Sequence, residues 1–97
     1  MLSGDWDDVV PAARVAASRV EMAVVSMAVP ADDRIEIELV AVGAEPGSAT
    51  FIRTPQGLIG ATCRIGRFGD ADRESRFLAA FERRLGQLRG VDYAPVR

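Results

Sequence analysis

Histidine, lysine and asparagine do not occur in this 97-residue chain, and cysteine, tryptophan and tyrosine occur once each. Without histidine there is no imidazole general base, no Ser-His or Cys-His pair and no His-containing zinc site. Without lysine there is no Schiff base and no P-loop. The lone Cys63 has no internal disulfide partner. Four good metal ligands do not assemble from one thiol and carboxylates that have capping or surface roles. The sequence therefore predicts no metal and no cofactor. No run approaches the ~18 apolar residues that a membrane span requires.

What remains is the composition of a globular protein. The hydrophobic fraction of 48% and charged fraction of 27% predict one domain over residues 1–97. Such a chain buries roughly two-thirds of its unfolded surface. All 12 basic residues are arginine, and the net charge of -2 gives no pull towards nucleic acid. Charge is nonetheless uneven. Residues 1–63 hold four Arg against nine acids, and residues 64–97 hold eight Arg against five. That asymmetry suits docking of a partner or of another copy of the chain. The first residues are acidic where a secretory signal is basic, so a chain read as complete is expected in the cytoplasm.

Pro11 suits the first turn of a helix that begins near Val9 and runs to Arg19 or Glu21. Its apolar stripe is Val9, Ala13, Ala16 and Val20, and Trp6 is a hydrophobic clamp on its start. Residues 22–29 read as strand or continued helix; β-branched content and the turn signals of residues 30–33 favour strand. Ile35, Ile37 and Leu39 alternate with Glu36 and Glu38 in a second strand extending to Val42. Residues 43–47 form a turn, 49–54 a third strand, 54–57 a second turn and 58–68 a fourth strand. A Gly-Asp corner then opens a helix over 71–90. Asp70 or Asp72 caps it, Glu74 lies in its first turn and Gly90 stops it. Phe77, Leu78, Phe81, Leu85 and Leu88 form its apolar stripe.

Connections this short join antiparallel neighbours. The expected fold is α+β: two layers, with a four-stranded antiparallel meander and N- and C-terminal helices packed on one face. The covered face is Ile35, Ile37, Leu39, Phe51, Ile59, Cys63 and Ile65. The other face carries Glu36, Glu38, Val40, Thr50, Ile52, Thr54, Thr62 and Arg64.

Residues 64–70 (Arg-Ile-Gly-Arg-Phe-Gly-Asp), followed by the Arg/Glu-rich stretch 73–85, resemble the C-terminal signature of a family of short uncharacterised bacterial envelope lipoproteins. That resemblance covers the last third of the chain. It implies a strand, a Phe-Gly-Asp corner and a final helix, and it makes the cell envelope the alternative location. The chain lacks the lipidation cysteine of that family. The topology is also similar to that of small two-layer secretion chaperones, a likeness of fold alone. Neither resemblance brings a catalytic residue.

Each chemical candidate has a plainer reading. Glu36 and Glu38 lie about 7 Å apart on one strand face, a carboxylate spacing that inverting glycosidases use. An open face supplies no cleft to raise a pKa, so they read as a solvated face balanced by Arg64 or Arg53. Asp70 and Asp72 lack the further oxygen ligands of a calcium loop. Cys63 reads as a small buried hydrophobe. Arg73, Arg76, Arg83 and Arg84 form the one basic patch suited to phosphate, but interleaved Glu74 and Glu82 favour intrahelical pairing.

No catalytic residue is assigned. The expected function is non-enzymatic: a homodimer or a complex with another protein, through an edge strand or the face carrying Glu36, Glu38, Val40, Ile52 and Arg64. The alternative is a small-molecule-binding protein or minor enzyme with an Arg- and carboxylate-lined pocket between helices and sheet.

Overall fold

A computed structural model describes residues 2–41, 46–66 and 69–89. A single 3-10 turn, Trp6–Asp8, leads into helix α1, Val9–Arg19. Four strands follow: β1 Ala23–Ala31, β2 Arg34–Val40, β3 Gly47–Arg53 and β4 Ile59–Ile65. Helix α2, Ala71–Arg89, closes the order. All three strand pairs are antiparallel and the sheet order is β1-β2-β3-β4, which is the expected α+β meander. The expected turn over 43–45, the end of strand two at Val42, the Arg67-Phe68 step and the Gly90 stop lie outside the described residues.

One face of the sheet meets both helices in a single apolar cluster. Ile35, Ile37 and Leu39 of β2, Ala49 and Phe51 of β3, and Ile59 and Ile65 of β4 are buried there. From α1 the cluster takes Val9 and four alanines, Ala12, Ala13, Ala16 and Ala17. Alanines have no bulk beyond Cβ, so α1 approaches its neighbours closely. From α2 come Phe77, Phe81 and Leu85, and the Phe51 and Phe81 rings meet at 4.7 Å with a 34° tilt. No polar or charged residue is buried among the described residues. The space between helices and sheet is filled with hydrocarbon.

α1 ends in a Schellman motif built on an unusual residue. Glu21 N donates to Ser18 O at 3.0 Å and Met22 N to Ala17 O at 2.8 Å, which ties off two terminal carbonyls. The turn needs a left-handed residue, and Glu21 occupies it at φ 61. Residues 23–29 of the ambiguous stretch 22–29 then resolve as strand. β1 runs on through Pro30 and Ala31, two residues into the turn expected over 30–33. A proline is accommodated there because β1 is an edge, where one row of N–H groups has no ladder partner to lose.

β4 reaches α2 through a corner with two glycines at positive φ, Gly66 at 80 and Gly69 at 84. These are backbone values that a β-carbon disfavours. Asp70 caps α2, its Oδ1 accepting from Arg73 N at 3.1 Å. Asp72 is instead a first-turn residue paired with Arg76 Nε at 3.2 Å. Trp6 packs on the core ahead of α1, and the Arg53 guanidinium lies 5.3 Å from its ring centroid.

Candidate functional site

The uncovered sheet face is polar and arranged in rows. Registers place Ser26, Glu38, Ser48 and Arg64 in one row across four strands, and Ala28, Glu36, Thr50 and Thr62 in the next. Arg34, Ile52 and Gly60 form a third row, while Val40 stands opposite Ala23 at the far end. Val40 and Ile52 are each 40% exposed, but the two rows of Glu36 and Glu38 separate them. Three two-residue steps along β2 correspond to about 20 Å. The face thus brings Glu36, Glu38 and Arg64 together and does not join Val40 to Ile52 in one apolar patch.

The carboxylates on this face have local partners. Arg34 Nε donates to Glu36 Oε2 at 2.9 Å, and Ser26 Oγ donates to Glu38 Oε1 at 2.6 Å. The expected balance from Arg64 or Arg53 is not the one found. Arg53 points to the opposite face, over Trp6, and also donates to Asp32 O at 3.4 Å. The Ser26–Glu38 pair is exposed and lines a shallow depression of about 450 Å³ on the sheet face, where water screens the carboxylate.

Exposed apolar area concentrates instead on β1. Val25 is 56% exposed, Met27 49% and Val29 55%, and only Val24 of this strand is half-buried. Met27 stands opposite buried Ile37, so it belongs to the helix side of the sheet, yet no helix covers it. The two elements also differ in length. The 11 residues of α1 extend about 16 Å, against about 30 Å for the nine residues of β1. The strand holds no charged residue. Its register shifts after Val24 and again after Ala28.

The opposite edge, β4, is occupied at both ends. Leu2 pairs with Ile59 through two 2.8 Å backbone hydrogen bonds. At the other end Ile65 N donates to Glu74 Oε2 at 2.8 Å. Between them Cys63 is on the core side that its alternation predicts, but it is half-buried where full burial is expected from the sequence. Burial, and then the nearby Glu74 carboxylate, push its thiol from 9.0 up to about 12. A thiol that keeps its proton is a poor nucleophile.

The basic patch of α2 is distributed differently from a simple outer face. Arg76, Arg83 and Arg84 flank a cleft of about 280 Å³ between the helices, and Arg19 at the end of α1 completes it from the other wall. Arg76 alone of these makes an intrahelical ion pair, with Asp72. Sequence reasoning missed Arg19, because its approach to α2 depends on how two helices cross.

Among the described residues no group of three or more His, Cys, Asp or Glu is placed to hold a metal ion. No helix among them is long and apolar enough to cross a membrane. The chain matches no protein-family model, no curated protein and no solved structure.

Proposed function

We propose that this chain is a non-enzymatic self-association module whose β1 edge pairs with β1 of a second copy. The observation that carries this reading is an edge strand with three half-exposed large apolar side chains and no charge along nine residues. Edge strands that must stay alone are usually blunted by charge or covered by another element. β1 has only its two register shifts and Pro30 for protection, and Pro30 leaves the stretch before it open to pairing. An antiparallel β1–β1 contact satisfies free backbone groups and covers Val25, Met27 and Val29 in both copies. The absence of His and Lys from the chain supports the non-enzymatic part.

Sedimentation at high micromolar concentration tests it. The wild type is expected to show a concentration-dependent dimer, Met27→Lys a monomer, and Ile52→Asp on the polar face an unchanged dimer. A wild type that stays monomeric, or a dimer lost through Ile52→Asp and kept in Met27→Lys, overturns the β1 reading.

A further inference from the structure

The cleft between α1 and α2 lies in the helix layer, and its chemistry is one-sided. Arg19 comes from α1, and Arg76, Arg83 and Arg84 come from α2. No Asp or Glu lines it among the described residues, although acids outnumber bases in the chain as a whole. Its apolar lining comes from Val15, Ala79 and Ala80. Four cations gathered around one volume repel each other, and Asp72, reaching Arg76 at 3.2 Å, offsets only one of them.

Arg84 adds an independent sign. Its Nη1 donates to Gln87 Oε1 at 3.3 Å, but its Nε is shielded from solvent and has no hydrogen-bond acceptor. Shielded donors are normally paired, and one left without an acceptor calls for an explanation. A turn of the Arg84 side chain towards a bound anion exposes this Nε and gives it an acceptor. Guanidinium groups from two facing helices suit an anion with several oxygens and more than one charge. That description fits a phosphate group better than a single carboxylate.

We propose that this cleft binds a small ligand bearing one or two phosphate groups, with Arg19, Arg83 and Arg84 as its charged contacts and the apolar lining of Val15 and Ala80 against the uncharged part. The volume is near the low end of small-molecule sites, which favours a compact ligand over a polymer.

Titration calorimetry with inorganic pyrophosphate on the whole chain provides the test. Saturable binding is expected in the millimolar range or tighter, weakening as salt rises. Arg19 and Arg83 are exposed, so the double variant R19Q/R83Q leaves the core untouched. It is expected to weaken pyrophosphate by about tenfold or more. Arg84→Gln is expected to do the same. Arg64→Gln, on the far sheet face, is expected to bind as the wild type does. Absence of saturable binding up to about 10 mM, or equal affinity in R19Q/R83Q and wild type, overturns the proposal. So does an equal loss in Arg64→Gln, which marks diffuse charge attraction. Co-sedimentation with vesicles containing a phosphoinositide then separates the sources. Retention that pyrophosphate displaces places the phosphate on a lipid headgroup, and no retention places it on a free small molecule.

Discussion

Glu74 Oε2 accepts a hydrogen bond from Ile65 N at 2.8 Å, so the first turn of α2 holds the last residue of β4. The same oxygen accepts from Asp70 N at 3.1 Å, while Asp70 Oδ1 accepts from Arg73 N. One carboxylate therefore closes the loop between strand and helix and completes a reciprocal cap. Its negative charge sits at the helix end where the dipole favours it.

Glu74→Ala removes an acceptor shared by two backbone donors, one of them part-buried. The expected cost is about 2 kcal/mol, the scale for charged hydrogen bonds lost at a cap. Glu74→Gln keeps an acceptor without its charge and is expected to lose less. Urea denaturation of the three proteins checks the order, and an unchanged midpoint in Glu74→Ala contradicts the bridging role.

Glu21 holds a left-handed conformation at φ 61 only because the end of α1 requires one. Glycine adopts it without a Cβ clash and keeps both Schellman hydrogen bonds. Glu21→Gly is expected to stabilise the fold by about 1 kcal/mol. Thermal unfolding reads this as a higher Tm. Glu21→Ala provides the control, because it removes the side chain but retains the strained backbone.

Cys63 gives a pH signature above neutrality. The folded thiol keeps its proton up to about 12, against 9.0 for the free group, because burial and then Glu74 disfavour the thiolate. The unfolded thiol ionises near its ordinary value, so the unfolded state loses a proton that the folded state retains. The stability from this difference is fully present below pH 9.0 and is lost as pH rises towards about 12. Wild-type stability is expected to fall more steeply over that window than that of Cys63→Ala. At about pH 8, iodoacetamide is expected to label the unfolded chain far faster than the folded one.

The α+β order was readable because local signals agreed with one another. Ile35, Ile37 and Leu39 alternate, Asp70 precedes an apolar helical stripe, and short connections leave no room for parallel crossovers. The features that escaped depend on distance through space. Alternation assigns Met27 to a face but does not say that it stays half-exposed there. Grouping Val40 with Ile52 used strand parity correctly, yet only the β2–β3 register shows that two polar rows part them. Glu21 gave no sign either, since left-handed caps are usually announced by glycine. Arg19 and Arg84 lie in separate helices, and their shared cleft follows from tertiary packing alone.

The engaged ends of β4 set a limit on any assembly built through β1. Leu2 takes the backbone of Ile59 and Glu74 takes the N–H of Ile65, so an incoming strand finds neither terminus of that edge free. Only the middle of β4, from Gly60 to Arg64, is left to meet another strand. Joined through β1, two subunits form a continuous eight-stranded sheet with β4 at each rim. On the proposed β1 pairing, the engaged ends of β4 disfavour growth beyond two copies.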